Sequence, residues 1–188
     1  KKEPYVEQKP ARNISTVPVE MTVLLGRVFA AIKASLERFD WFMPCKNPTN
    51  TANAIHRYCS SRLAVVETDY SKFDASLSYF LREVEQECVL MHFPEKDRPV
   101  IQELLRKDLN LEAATRLGVR YDTMASRLSG SQSTTCGNTI INAFVAYCAF
   151  REQGLDPAAA FASIGPKFGD DGIDDVCGLF LKVAEDLG

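Results

Sequence analysis

Phe168-Gly169-Asp170-Asp171-Gly172 is the stretch on which the reading of this chain turns. Two adjacent carboxylates sit on a glycine-flanked turn that follows the apolar run at residues 162–164. Adjacent side chains on an extended segment point to opposite faces, so one carboxylate aims at a reacting centre while the other supports it from the side. Asp170 is assigned the direct role and Asp171 the supporting one. Taken alone, the stretch also fits an acidic β-turn, because Asp and Gly are turn residues for reasons of their own. Two other stretches bear on that choice.

The first is Glu67-Thr68-Asp69-Tyr70-Ser71-Lys72-Phe73-Asp74, which follows Leu63-Ala64-Val65-Val66 and precedes a helical pattern. It reads as a strand that ends in a carboxylate, Asp69. The second is Ser129-Gly130-Ser131-Gln132-Ser133-Thr134-Thr135-Cys136-Gly137-Asn138, a small-residue loop entering a long apolar helix. Thr134 and Asn138 are one helical turn apart there, which puts both side chains on one face.

Taken in chain order, D-x4-D (Asp69, Asp74), SG-x3-T-x3-N (Ser129, Gly130, Thr134, Asn138) and GDD (Gly169, Asp170, Asp171) resemble motifs A, B and C of a viral RNA-dependent RNA polymerase palm. The wording D-Y-S-K-F-D and the upstream run A-R-N-I-S, residues 11–15, are most similar to nodavirus-type replicases of positive-strand RNA viruses. Chance alone supplies a D-x4-D about once in such a chain, and a GDD in roughly one chain in twenty-five. The four fixed residues of the middle motif arise by chance on the order of once in a thousand chains, so that motif is the strongest single signal.

The resemblance implies an α+β fold: a polymerase palm, with an antiparallel sheet and packed helices, plus helical fingers elements. Residues 1–62 are then a fingers part with a basic loop, 63–93 the palm with motif A, 94–128 a fingers insertion, and 129–188 the palm with motifs B and C and the start of the D region. A thumb and a lysine-bearing motif D are not recognised, so the chain by itself is expected not to polymerise RNA. The implied activity is template-directed RNA synthesis for viral genome replication, by transfer of ribonucleoside triphosphates onto an RNA 3'-hydroxyl. Implied partners are the template and primer or product strands, the nucleotides, the rest of the replicase polypeptide, and further copies in a membrane-bound replication complex. The implied location is the host cytoplasm, at intracellular membranes, through regions outside this chain.

Asp69, Asp170 and Asp171 are the implied catalytic residues and metal ligands, for two magnesium ions with manganese as an alternative. The donor chemistry agrees, since magnesium takes hard oxygen ligands and is held by one or two carboxylates together with substrate phosphates. The chain is rich in carboxylates and has only two histidines, His56 and His92. Asp74 and Asn138 are candidates for reading the ribose 2'-hydroxyl, and the resemblance adds Ser129, Gly130 and Thr134 to nucleotide binding. Asp74 also suits a helix cap, a role Asp fills readily. Lys2, Val6-Glu7-Gln8 and Arg12-Asn13-Ile14 resemble motif F, which makes Lys9 and Arg12 the candidates for the triphosphate. Arginine offers a forked, permanently charged donor where negative charge develops. Two other classes stay open: another palm-type nucleotidyl transferase such as a reverse transcriptase, and a non-catalytic fragment that binds RNA or a partner.

The 188 residues are 46% hydrophobic, ordinary for a globular chain long enough to bury a core. A net charge of -3 hides an asymmetry. Residues 1–72 carry 11 Lys+Arg against 7 Asp+Glu, and residues 73–188 carry 11 against 18. A basic part for phosphates and an acidic part for cations suit a metal-dependent polymerase, although solvated faces give the same split. The six cysteines show no zinc-type spacing and read as free thiols.

Between the motifs, apolar spacing predicts a helix from Pro18 to Leu36 and core packing for Trp41, Phe42 and Met43. A second helix is expected over 49–59, capped by Thr49 or Asn50. A stripe through Leu77, Phe80, Leu81, Val84, Cys88 and Met91 predicts a helix with Glu83, Glu85 and Glu87 turned outward. Further expectations are a helix within 94–110, a hairpin about Gly118, and a largely buried helix over 132–150. A strand should then lead into Phe168, followed by the turn and a helix over 176–187.

Overall fold

The structure, a computed structural model, describes residues 15–187. Lys9 and Arg12, the candidates for triphosphate binding, lie outside the described residues. α1 spans Val19–Leu36 and follows Pro18, whose fixed φ suits a helix start. It buries Leu25, Val28, Phe29, Ile32 and Leu36 and leaves Val19, Val23 and Leu24 exposed. α2 spans Pro48–Ser60. Its cap is Asn47, whose side chain accepts the Asn50 N–H at 2.8 Å, and not Thr49 or Asn50 as expected. Proline at the first helical position explains the shift, because its missing N–H is free of cost there and the cap moves to the residue before it.

β1 is Val65–Thr68. The single helix expected after it is two, α3 at Phe73–Ser76 and α4 at Tyr79–Leu90, because Leu77 is extended (ψ 126°) and Ser78 caps α4. The stripe is also rotated from expectation: Phe80 and Met91 are exposed, whereas Arg82 and Glu85 are buried. Glu85 is not turned outward, because it is neutralised inside. Arg127 donates to it at 3.0 and 2.6 Å, and Arg82 at 3.0 Å.

α5 is Arg98–Arg106, and β2 (Glu112–Ala114) pairs antiparallel with β3 (Arg120–Asp122) as the expected hairpin, with Gly118 at φ +85°. α6, Thr134–Glu152, is buried over most of its length and contributes to all three apolar clusters of the core. Each of its fully buried aliphatic side chains, Ile141 among them, is worth about 1.5–3 kcal/mol relative to exposure.

α7 spans Pro157–Ser163, a helix that the apolar run at residues 162–164 had not suggested. Asp156 caps it, accepting from the N–H groups of Ala158 and Ala159 at 2.9 Å, and its run of alanines is strongly helix-forming. β4 is Lys167–Phe168, β5 is Asp171–Asp175, and α8 starts at Phe180 and ends at Leu187, later than Val176.

β1, β5 and β4 form an antiparallel sheet in the order β1-β5-β4, with Thr68 opposite Gly172 and Phe168 opposite Asp171. Phe42 adds a parallel bridge to Lys167, so the aromatic cluster is stitched to the sheet as well as to the core. Beneath the sheet Lys167 is paired with Asp174, both fully buried. Among the described residues no helix is long and apolar enough to cross a membrane.

Candidate active site

Asp69 directly follows the last residue of β1, and Thr68 pairs with Gly172, so Asp69 is delivered to the β4–β5 turn that carries Asp170 and Asp171. Asp69 and Asp171 line one open cleft of about 400 Å³, together with Glu67, Phe168 and Thr51. Asp170 stands half-buried at the turn, outside that cleft lining. Partial burial, and then the charges of Asp170 and Asp69, push the Asp171 carboxyl above the usual carboxylate range. Carboxylates held this close repel one another, an arrangement found at functional sites and in structural charge networks alike.

The turn is tightly specified. Gly169 adopts φ +65°, a left-handed conformation that favours glycine. At Gly172 a Cβ would lie 2.6 Å from Lys167 Nζ and 2.7 Å from Thr68 Oγ1, so any other residue would have to displace those two side chains. From α6, the Asn142 amide donates to the carbonyls of Gly169, Asp170 and Asp171, and the Thr139 hydroxyl accepts the Gly169 N–H. Both side chains escaped the sequence reading. The available signal was a pair of polar residues, at positions 139 and 142, inside a helix otherwise read as apolar.

The donor set fits a hard divalent cation, being all carboxylate at the turn. His92 is exposed and tied to the Cys88 carbonyl, and His56 is exposed on α2. Among the described residues no three His, Cys, Asp or Glu side chains converge closely enough to hold an ion alone. One or two carboxylates suffice where substrate phosphates complete the shell.

The structure also joins Asp74 to Asn138, whose Nδ2 donates to Asp74 Oδ1 at 2.8 Å. Asp74 is thereby used across the molecule and not as a cap: Lys72 holds the cap position of α3. Asn138 Oδ1 is buried with no partner among the described residues. Ser129 is exposed and makes no hydrogen bond to Asp74 or Asn138. Thr134 does not reach them either, since its hydroxyl donates to the Leu128 carbonyl at 2.8 Å. Gly130 donates its N–H to the Ser15 carbonyl at 3.1 Å and has no room for a side chain against that backbone.

A further group missed in the sequence anchors this loop. Arg127 and Arg82 meet Glu85, Arg82 also meets Asp108, and Asp108 accepts from the hydroxyls of Ser131 (3.1 Å) and Ser133 (2.9 Å). Gly137 faces this network, where a Cβ would collide with Glu85 and Arg127.

A family profile described as viral RNA-dependent RNA polymerase matches residues 4–187. The RNA-directed RNA polymerase of Greasy grouper nervous necrosis virus is 43% identical over 175 residues, covering 92% of this chain and 18% of that protein. That of Striped jack nervous necrosis virus is 42% identical over 195 residues, covering 100% of this chain and 20% of that protein. That of Black beetle virus is 35% identical over 138 residues, 71% of this chain and 14% of that protein. The chain thus spans about a fifth or less of these relatives. In fold it is similar to the RNA-dependent RNA polymerase of a human picorbirnavirus, with a TM-score of 0.78 at 16% identity over 94% of this chain and 34% of that one. On the strength of a profile match over almost its whole length and of these relatives, the chain belongs to the viral RNA-dependent RNA polymerase family.

Proposed function

We propose that this chain carries the catalytic centre for template-directed RNA synthesis, adding ribonucleotides to the 3'-hydroxyl of an RNA strand. The observation that carries the reading is the meeting of Asp69 with Asp170 and Asp171 at one end of the β1–β5 ladder. Asp69 and the two turn carboxylates would hold two divalent cations, magnesium in this reading. Such ions, when bound, activate the attacking hydroxyl and neutralise the departing pyrophosphate. The remaining work of the chain is positioning. Gly172 lets β5 lie close to Thr68 of β1, Gly169 supplies the left-handed residue of the turn, and the buried Lys167–Asp174 pair supports its floor. Partners in this reading are an RNA template, a primer or product strand, ribonucleoside triphosphates and the remainder of a polymerase polypeptide. Primer extension by a full-length polymerase carrying this chain tests it, with and without magnesium. Extension that persisted unchanged in a chelator would sink the metal assignment.

Asp74 and Asn138 read the sugar in this proposal. Asp74 holds the amide nitrogen, which leaves Asn138 Oδ1 as a buried acceptor with no partner among the described residues. A ribose 2'-hydroxyl both donates and accepts, so it supplies the missing donor, whereas a deoxyribose leaves that oxygen unpaired. An unsatisfied buried group costs about 1–3 kcal/mol. Asn138→Ala and Asp74→Ala are therefore expected to narrow the ribonucleotide-to-deoxyribonucleotide preference at least about tenfold, as kcat/KM measured for both substrates. Equal losses for the two sugars would remove this role.

A further inference from the structure

Asn142 lies outside the groups proposed above for metal and sugar, yet its side chain is fully buried and holds three successive carbonyls of the candidate catalytic turn. Its Nδ2 donates to Gly169 O at 3.2 Å, Asp170 O at 3.0 Å and Asp171 O at 3.2 Å. An amide has two N–H bonds for these three acceptors, so the interaction is shared. Its other end is wasted: Asn142 Oδ1 is buried without a partner among the described residues. Buried unpaired acceptors are costly, and an apolar side chain of the same size would avoid this one. The donor end is what the position retains. Three residues earlier, Thr139 accepts the Gly169 N–H at 2.8 Å and donates to Thr135 O at 2.7 Å, which fixes its own rotamer.

Among the described residues nothing lies within 4 Å of where a Gly169 Cβ would stand, so no side chain is packed against that side of the turn, although Gly169 itself is buried. Polar bonds from α6 hold it from within. Tying three consecutive carbonyls to one nitrogen fixes the peptide planes, and the planes fix the directions in which the Asp170 and Asp171 side chains leave the backbone. Asn138, which holds Asp74, stands four residues earlier on the same helix. At 1.5 Å rise per residue the two amides are about 6 Å apart along the axis.

We propose that Asn142, seconded by Thr139, is a positioning residue that orients the Gly169–Asp171 turn so that its carboxylates meet Asp69. α6 then sets the spacing between the turn and the Asp74–Asn138 pair. The inference rests on the reading that these carboxylates hold the cations.

The test uses a full-length polymerase carrying this chain, with Asn142→Asp, Asn142→Leu and Thr139→Val. The first keeps shape but turns donors into acceptors facing three carbonyls. The second keeps bulk and removes the donors. Active-site titration gives the competent fraction, single-nucleotide kinetics give kcat per active site, and electron paramagnetic resonance follows manganese(II) binding to enzyme without nucleotide. We expect kcat per active site to fall on the order of a hundredfold in Asn142→Asp, the scale of a small misplacement of reacting groups, with nucleotide KM within about threefold. Manganese binding should weaken about tenfold. Asn142→Leu should fall between that variant and wild type, and Thr139→Val should lose about fivefold. A loss confined to the competent fraction, with kcat per active site and manganese affinity within about twofold of wild type, overturns the proposal. If the Asn142 variants do not fold, Thr139→Val decides it by the same two readouts. Asp69→Asn is the control: normal manganese binding there would overturn the metal reading itself, whereas lost binding there with normal binding in the folded Asn142 variants would overturn only the positioning role.

Discussion

Asp69→Asn in a full-length polymerase is expected to lower nucleotide addition at least about a thousandfold, on the order of 4 kcal/mol of transition-state stabilisation, while the protein stays folded. Asparagine keeps the shape of the side chain and removes its charge. The stability side of the prediction is equally specific. Asp69 is exposed, and its charge raises the proton affinity of Asp171, so in the absence of cations it repels its neighbours. Neutralising it relieves that repulsion, and the melting temperature should hold or rise slightly. Asp170→Asn should behave in the same way, with Asp171→Asn free to keep partial activity. Single-nucleotide extension and a thermal melt on the same preparation check both halves. Near wild-type extension in Asp69→Asn or Asp170→Asn would remove that residue from the metal site, and a large fall in melting temperature would assign it to folding.

The pieces of the carboxylate centre were legible through local rules, and the resemblance to a polymerase palm brought them together. A strand ending in Asp69 and a Gly-Asp-Asp-Gly turn are written in patterns of period two and in the conformational freedom of glycine. The nearness of Asp74 and Asn138 was legible too, through the resemblance, which put both at one sugar hydroxyl. The different surroundings of the turn's two carboxylates were not, because they depend on strand register: Asp171, opposite Phe168, lines the cleft with Asp69, and Asp170 stands half-buried beside it. The helix at Pro157–Ser163 was not foreseen, although Asp156, Pro157 and the alanines after them are a helix start in composition and order.

Buried charge was the least legible feature. Arg82, Glu85, Asp108, Arg127, Lys167 and Asp174 look in sequence like solvated surface, and periodicity cannot tell a charge facing water from one facing an opposite charge. Asn142 was hidden for a related reason. Its partners are backbone carbonyls nearly thirty residues away, and a carbonyl has no signature in the sequence.

That concealed network carries the second large expectation: Glu85→Gln should destabilise the chain by about 3–5 kcal/mol at neutral pH, the usual cost of breaking a buried pair by removing one partner. Glu85 takes three hydrogen bonds from Arg127 and Arg82, and with Asp108 the four groups balance two positive and two negative charges. Neutralising Glu85 leaves two guanidinium groups buried against one carboxylate. The dependence on pH follows from its titration. Burial alone would raise the Glu85 pKa, but Arg127 and Arg82 outweigh it and hold the carboxyl below its ordinary value of 4.5. A group whose folded pKa is depressed contributes stability that is present above its unfolded pKa and lost as pH falls through the folded one. Wild type should therefore lose this contribution below about pH 4.5, and Glu85→Gln lacks it at every pH. The two stability curves should converge in acid and stand furthest apart near neutrality. Denaturant unfolding across that range measures the gap directly. A difference under about 1 kcal/mol at pH 7, or one that widened toward acid, would mean that the pair contributes no net stability where it is buried. Because Arg127 also donates to Ser133 and its N–H binds the Asp74 carbonyl at 2.8 Å, the same variant should loosen the loop that leads into Asn138. In the full-length polymerase, ribose preference should weaken together with stability.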